Sequence, residues 1–288
     1  MTKELPRSRT ASLANGQRPA SKTHPRRPDQ AQLKATSLID HAPPTRRQLL
    51  VSVQNVREAQ VARGLSVPWI DLKNPALGSL GRPDLLTARK VAAELTQKNS
   101  APAAQCSVAL GELRTLNVAA AVELMRLFPI TKIGLAGLGT LGRITPALQQ
   151  QLDSLRSDNA SPGQLVLAIY ADYQRAGAPT PAEIVELARH LESRYVLVDT
   201  FIKDGLGLFH WLTVEQLREL REQVQAFGAT LVVAGGLQST DWPALDQLGS
   251  AIVAVRGGVC EINQDRTSRL STEQLHQWLQ WTDQSPSL

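Results

Sequence analysis

One short segment of the chain combines an acid, a lysine and a glycine-rich turn. Residues 69–81 read Trp-Ile-Asp-Leu-Lys-Asn-Pro-Ala-Leu-Gly-Ser-Leu-Gly, which predicts an apolar strand that breaks at Pro75. Side chains two residues apart in a strand share a face, so Asp71 and Lys73 are expected to point the same way at its carboxyl end. Burial of such a pair is costly unless the charges are well matched. The pair therefore serves either as a structural salt bridge or in chemistry.

Eight apolar segments, each followed by a helical pattern, make up the rest of the chain. The predicted strands are residues 49–53, 68–72, 106–110, 130–134, 165–170, 195–198, 230–234 and 251–255. The predicted helices are residues 56–64, 83–97, 116–128, 144–156, 181–193, 213–227, 239–248 and 271–281. Runs of Val, Ile and Leu without polar alternation are typical of strands covered on both faces. This order predicts an α/β fold with a single (β/α)8 TIM barrel over residues 47–288.

An open, doubly wound sheet is the main rival, because it also alternates strands with helices. Such a sheet carries Gly-x-Gly-x-x-Gly directly after its first strand. Here that motif occurs at residues 137–142, after the fourth predicted strand and without an acid at the right distance downstream. A single match in this position is weak evidence, so the barrel is favoured.

Charged and glycine residues cluster where the predicted strands end, which in a barrel is the catalytic face. The strand-end side chains are Asp71, Lys73, Glu112, Lys132, Tyr170, Asp172, Asp199 and Lys203. Gly235-Gly236 and Arg256-Gly257-Gly258 follow strands seven and eight, where barrels bind phosphate through backbone N–H groups. A ring of structural salt bridges and two ordinary turns are the alternative readings.

Three lysines at one rim suggest chemistry on a carbonyl group. A lysine attacks a carbonyl only as the neutral amine, which requires a pKa lowered by burial or by another cation. Lys73, Lys132 and Lys203 could lower one another's pKa, while Asp71, Asp199 or Tyr170 moves protons. A phosphorylated aldehyde bound as a Schiff base suits these residues.

The amino-terminal segment differs from the body in charge. Residues 1–48 hold ten Lys and Arg against three acids, whereas the remainder holds 21 against 23. Six of the 17 prolines also lie there, which predicts a disordered basic tail over residues 1–46. Without aromatic residues the tail is a poor nucleic-acid arm, and the apolar run after Arg46-Arg47 is too short for an export signal. A plain solvated extension is favoured, so no nucleic-acid partner is expected.

Several function classes are excluded by composition. The chain has no run of 18 apolar residues and therefore no predicted membrane span. Two cysteines, Cys106 and Cys260, cannot form a disulfide framework and fit a reducing cytoplasm. The five histidines show no metal-ligand spacing, so no metal site is predicted.

The body, from about residue 49 to residue 281, resembles the (5-formylfuran-3-yl)methyl phosphate synthase family of methanofuran and methylofuran biosynthesis. The resemblance is carried by residues 71–75, 78–81, 132–135, 170–172, 198–205, 208–209, 234–235 and 255–257. Asp-x-Lys-Asn-Pro at residue 71 and Asp-Thr-x-Ile-Lys-Asp-Gly at residue 199 are specific when they occur in this order.

The resemblance implies a homo-oligomeric barrel that condenses two molecules of glyceraldehyde 3-phosphate, releases phosphate and water, and uses no metal or organic cofactor. Lys73 matches the family's Schiff-base lysine, Lys132, Asp199 and Lys203 match other catalytic positions, and Asp71 matches the strand-end acid. The expected substrate- and phosphate-binding residues are Gly235, Gly236, Arg256, Gly257, Gly258, Tyr170, Asp172 and Ser79.

Three departures from the family pattern stand out: the basic tail, the loop at residues 157–164, and Gly236 where a serine is more usual. They suggest a bacterial relative. Two other functions stay open: a different class I aldolase or isomerase of a phosphorylated sugar, and a non-catalytic barrel that binds phosphorylated metabolites, or nucleic acid through its tail.

Overall fold

The structure is a computed structural model that describes residues 46–97, 104–141, 150, 152, 155, 164–249, 251–262 and 265–284. The predicted tail lies outside the described residues except for Arg46. Of the predicted helix 144–156, residues 150, 152 and 155 are described and are helical. The loop at residues 157–164 lies outside them except for Gln164, which begins a strand.

The described residues form eight parallel strands that close into a barrel. Each strand pairs with the next, and the last pairs with the first. The strands are β1 (Gln48–Val53), β2 (Trp69–Leu72), β3 (Gln105–Glu112), β4 (Ile130–Gly134), β5 (Gln164–Tyr170), β6 (Tyr195–Asp199), β7 (Thr230–Val233) and β8 (Ile252–Val255). The prediction of a (β/α)8 barrel is confirmed.

Helices between the strands cover the outside of the barrel. They are α1 (Val56–Gly64), α2 (Leu85–Thr96), α3 (Val118–Leu127), α4 (Tyr173–Ala176), α5 (Pro181–His190), α6 (Leu208–Trp211), α7 (Val214–Gln225), α8 (Trp242–Leu248) and α9 (Thr272–Asp283). Side chains cap several of them: Thr180 and Thr213 each form a reciprocal capping box, with Glu183 and Gln216. These caps satisfy N–H groups that a helix leaves unpaired, and they fix where each helix starts.

Three elements differ from the sequence prediction. The short helices α4 and α6 were not expected, because four residues are too few to show helical periodicity. Strand β3 runs two residues past its predicted end through a register shift between Ala109 and Gly111. Gly111 adopts a φ of +94° there, and the shift brings Glu112 opposite Gly134 on β4.

The apolar core has two parts. One lies between the strands and the helices, and the other fills the barrel and includes Leu50, Trp69, Ile130, Leu197 and Ile252. Alternate residues of each strand face the barrel interior, so this inner cluster identifies which polar residues also face inward. No helix among the described residues has the length and apolar character to cross a membrane. Cys106 and Cys260 are free thiols.

Candidate active site

Four predicted catalytic residues lie on the inner face of the barrel, at the carboxyl ends of their strands. Asp71 and Lys73 lie two and four residues beyond the inward Trp69, and Lys132 and Asp199 lie two beyond inward residues of β4 and β6. All four are buried, since no more than 8% of any of them is exposed. The alternation of a strand is therefore what collects these charges in one place.

A cavity of about 200 Å³ opens at this end of the barrel. Its wall includes eight residues predicted for the site: Lys73, Lys132, Asp199, Lys203, Gly235, Gly236, Arg256 and Gly257. Asp71 and Ser79 lie behind the wall, each bonded to a residue in it. Tyr170, Asp172 and Gly258 do not line the cavity.

Asp71 holds Lys132 in place deep in the barrel. The Lys132 Nζ lies 2.6 Å from Asp71 Oδ2, and the hydroxyls of Ser52 and Ser107 donate to the same carboxylate at 3.1 and 2.8 Å. Ser52, Asp71 and Ser107 are direct partners across β1, β2 and β3, so the network lies in one layer. A buried ion pair needs such additional hydrogen bonds to offset its desolvation.

Asp199 is the centre of a second polar cluster. Lys203 Nζ lies 2.6 Å from its Oδ1 and also donates to Thr200 Oγ1 at 2.9 Å, while Ser79 Oγ donates to its Oδ2 at 2.6 Å. Burial raises the pKa of Asp199, but the charges of Lys203 and Lys73 and the hydrogen bonds outweigh it and hold that pKa well below its usual value. Asp199 is therefore an ionised carboxylate.

Lys73 differs from the other two lysines of the cavity. It is 8% exposed, and among the described residues its Nζ has no hydrogen-bond or ion-pair partner. The pKa of Lys73 is lowered to about 7, chiefly by burial; Arg266 and Lys132 also lower it, and Asp199 and Asp71 oppose them. A large fraction of this amine is neutral near pH 7, as a nucleophile must be.

Two glycine turns line the cavity after β7 and β8. Gly235 and Gly236 have φ angles of +116° and +66°, which side chains with a Cβ rarely adopt. Their N–H groups and that of Gly257 donate to no acceptor among the described residues, so they remain free for an anion. Gly258 has a different reason to be glycine, because a Cβ there would lie 2.5 Å from the carbonyl oxygen of Leu237.

The Arg256 guanidinium is fully used within the protein. Its Nη1 and Nη2 bind Glu58 at 2.5 and 3.2 Å, and its remaining donors bind the carbonyl oxygens of Ser52, Arg266 and Ser268. A guanidinium has five N–H donors, and these bonds use all five. That Arg256 binds phosphate stays a prediction, and its side chain has no unused N–H donor for it.

Tyr170 and Asp172 support the site from behind. The Tyr170 hydroxyl donates to Glu112 at 2.5 Å, and burial followed by that charge raises the pKa of Tyr170 well above its usual value. Burial also raises the pKa of Glu112. Asp172 accepts hydrogen bonds from the backbone N–H groups of Phe201 and Ile202 at 2.6 and 3.0 Å. It therefore fixes the loop that carries Lys203.

Sequence reasoning did not single out four other polar residues of the wall: Ser52, Gln238, Asp265 and Arg266. Ser52 had a signal, since it is a polar residue at an inward position within the apolar run of residues 49–53 in β1. Arg266 lies eleven residues past the last strand, in a segment without any periodicity. Among the described residues, no group of three or more His, Cys, Asp or Glu side chains could hold a metal ion.

The fold resembles solved barrels of low sequence similarity. CutC from Streptococcus agalactiae matches with a TM-score of 0.52 at 13% identity, over 72% of this chain and 97% of that one. GGGPS from Thermoplasma volcanium matches with a TM-score of 0.51 at 7% identity, over 77% and 88% of the two chains. At these identities the likeness establishes the fold alone.

Sequence comparison is more specific. A (5-formylfuran-3-yl)methyl phosphate synthase from Methanopyrus kandleri is 31% identical over 220 residues, which cover 75% of this chain and 90% of the relative. The protein of that name from Methanococcus aeolicus is 30% identical over 212 residues, or 74% and 89% of the two chains. The sequence model of the 4-HFC-P synthase family matches residues 49–279, from β1 to α9. The chain therefore belongs to the 4-HFC-P synthase family.

Proposed function

We propose that this chain condenses two molecules of glyceraldehyde 3-phosphate into (5-formylfuran-3-yl)methyl phosphate through a Schiff base on Lys73. The reaction also releases one inorganic phosphate and two molecules of water, which balances the atoms. The observation that carries the proposal is the buried Lys73 amine, which has no partner among the described residues and lies in a cavity wall with four other cationic side chains. Family membership and the names of the relatives support the product.

The first step is attack of the neutral Lys73 amine on the aldehyde carbon. The resulting carbinolamine loses its hydroxyl as water, and we assign Lys203, an ammonium in the cavity wall, as the acid that protonates it. The protonated Schiff base, or iminium, is a cation. The ionised Asp199, whose charge already acts on Lys73, stabilises that cation electrostatically.

The iminium acidifies the adjacent C–H bond, and transfer of that proton to the Asp199 carboxylate gives an enamine. The enamine expels the phosphate on the next carbon, which leaves that carbon as an acceptor conjugated to the iminium. The middle carbon of a second glyceraldehyde 3-phosphate, deprotonated next to its aldehyde, adds to this acceptor and forms the carbon–carbon bond.

The hydroxyl on the middle carbon of the first molecule then closes on the aldehyde of the second, and loss of two molecules of water gives the furan. Hydrolysis of the Schiff base takes up the water released when it formed and frees the product and Lys73. Tyr170 lies behind the cavity wall. Its raised pKa keeps its hydroxyl protonated, so the hydroxyl stays a hydrogen-bond donor to Glu112.

Phosphate binding is assigned to the two glycine turns. Gly235, Gly236 and Gly257 line the cavity, and their N–H groups have no acceptor among the described residues, so they can donate to a phosphate in place of a lysine. This leaves Lys73, Lys132 and Lys203 for chemistry. The backbone can approach the anion closely because glycines carry no side chain.

One incubation tests the proposal. The protein is mixed with glyceraldehyde 3-phosphate, and a new near-ultraviolet absorbance is followed, since the furan product is a conjugated aromatic aldehyde. Borohydride is added to a parallel sample, and the adduct is located by peptide mapping. We expect furan formation and a label on Lys73. A product without a furan indicates another aldolase or an isomerase, and no turnover at all indicates a binding protein.

We further propose that the protein is a cytoplasmic homo-oligomer that needs no added metal or organic cofactor, and that its product enters synthesis of a methanofuran- or methylofuran-like carrier. Light scattering of the purified protein measures the assembly. Assays after dialysis against a chelator measure the metal requirement, and turnover that falls after this treatment contradicts the expectation.

A further inference from the structure

Five cationic side chains line the cavity, and they are not equivalent. Lys132, Lys203 and Arg256 each have a carboxylate oxygen at 2.5 or 2.6 Å, which neutralises them. Lys73 is partly neutral near pH 7. Arg266 is the fifth, and no carboxylate among the described residues is bonded to it. A dianionic group that enters the cavity therefore meets its strongest uncompensated charge at Arg266.

Arg266 also has hydrogen-bond donors to spare. Its Nη2 donates to the carbonyl oxygen of Gly78 at 2.6 Å, and its other guanidinium N–H groups have no acceptor among the described residues. The forked geometry of a guanidinium matches the oxygens of a phosphate in a bidentate arrangement. Arg266 thus has N–H donors available for a phosphate, whereas all five donors of Arg256 are used within the protein.

Hydrogen bonds within the protein fix the position of Arg266 before any ligand binds. Arg256 donates to the carbonyl oxygens of Arg266 and Ser268, both at 2.7 Å, which holds the backbone on either side of Thr267. Gly78, in the loop after β2, holds the tip of the side chain. Pre-organisation of this kind reduces the entropy lost when a ligand binds.

We propose that Arg266 binds the phosphate group of one of the two substrate molecules and that Arg256 is its positioning residue. The proposal rests on the proposed function, because a condensation of two phosphorylated aldehydes requires two phosphate groups in one cavity. The glycine turns after β7 and β8 accept one phosphate. Arg266, bonded to the loop after β2, binds the other phosphate and so selects a second substrate molecule that is phosphorylated.

Variants of one residue and a matched control test this assignment. Arg266→Gln removes the charge but keeps a donor for Gly78, and Arg266→Lys keeps the charge without the fork. Arg269→Gln is the control, since Arg269 is an exposed arginine of the same segment whose side chain has no described partner. Furan formation at varied glyceraldehyde 3-phosphate gives KM and kcat, and calorimetry with inorganic phosphate gives binding without any reaction.

We expect Arg266→Gln to raise KM on the order of 10- to 100-fold, as loss of a charged hydrogen bond does, with a smaller effect on kcat. Of two phosphate sites in the wild type, one should bind inorganic phosphate at least about tenfold more weakly in this variant. Arg266→Lys should be intermediate and Arg269→Gln unchanged.

Phosphate isotherms that are the same for wild type, Arg266→Gln and Arg269→Gln overturn the proposal, whatever the kinetics. A wild-type protein that forms no furan, yet loses phosphate affinity in Arg266→Gln, contradicts only the proposed function and leaves the assignment of Arg266 in place.

Discussion

At residue scale, the proposed reaction depends on the Lys73 amine. Its pKa falls from 10.5 to about 7 because burial penalises the ammonium, and Arg266 and Lys132 add to this while Asp199 opposes it. The fraction of neutral amine therefore rises as the pH passes through about 7. We expect the rate of borohydride-trapped adduct formation to rise with pH through a midpoint near that value. A midpoint near 10 would show that the amine is not perturbed.

The pKa of Lys73 should depend on Lys132. Lys132 lowers it, and in Lys132→Met the Asp71 carboxylate that raises it loses its partner. Both changes favour the ammonium, so the midpoint of adduct formation should move to higher pH. Lys90→Met is a suitable control, because Lys90 is an exposed lysine on α2. A shift equal in both variants would mean that net charge, not proximity, sets the pKa.

At the scale of the elements, strand alternation explains why part of the site could be predicted. Asp71 and Lys132 lie at inward positions of buried strands and Lys73 directly follows one, so period-two spacing was sufficient to place them together. Arg256 also follows a strand, but no sequence pattern shows that Glu58 on α1 takes its guanidinium. That contact joins residues 198 positions apart in the chain, and only the closed barrel brings them together.

The turn after β7 should not tolerate a side chain. Gly235 has a φ of +116°, and a Cβ there would lie 3.1 Å from Leu208 Cβ and 3.3 Å from the Thr200 backbone nitrogen. Gly235→Ala should therefore raise KM for glyceraldehyde 3-phosphate and destabilise the fold by at least about 1–2 kcal/mol. Gly228→Ala isolates the backbone effect, since Gly228 has a φ of +80° and nothing within 4 Å of its Cβ position. That control should lose stability but keep its KM.

The Arg256–Glu58 pair connects β8 to α1 and should contribute strongly to stability. Both side chains are buried, so Glu58→Gln leaves the arginine without its counter-charge and should cost about 3–5 kcal/mol of unfolding free energy. Arg89→Met breaks an exposed pair with Glu123 and should cost no more than about 1 kcal/mol. Denaturant unfolding of the two variants measures this contrast, and equal losses would contradict the buried role.

At the scale of the whole molecule, the barrel was the most predictable feature because it repeats. Eight apolar runs, each followed by a helical pattern, define it without any knowledge of long-range contacts. The cavity depends on non-repeating details, namely the register shift that places Glu112 and the loop that turns Arg266 inward. Neither has a local signature, so the sequence predicted residues that line the cavity, such as Lys73 and Gly235, but did not single out Arg266.

The barrel should also be independent of the basic amino-terminal segment. Every residue of the cavity wall lies between Ser52 and Arg266, and the family match begins at residue 49. Deletion of residues 1–45 should therefore leave kcat and KM unchanged. Deletion of residues 1–47 is the informative comparison, because Arg47 pairs with Asp246, donates to the Trp281 carbonyl at 3.0 Å and stacks on the Trp281 ring.

Loss of Arg47 removes a buried contact between the start of the first strand and the last helix. The longer deletion should therefore lower the melting temperature, whereas the shorter one should not. Thermal unfolding and furan formation measured on both proteins separate the two effects. Activity that disappears with residues 1–45 alone would instead place a binding function in the tail, as the non-catalytic hypothesis requires.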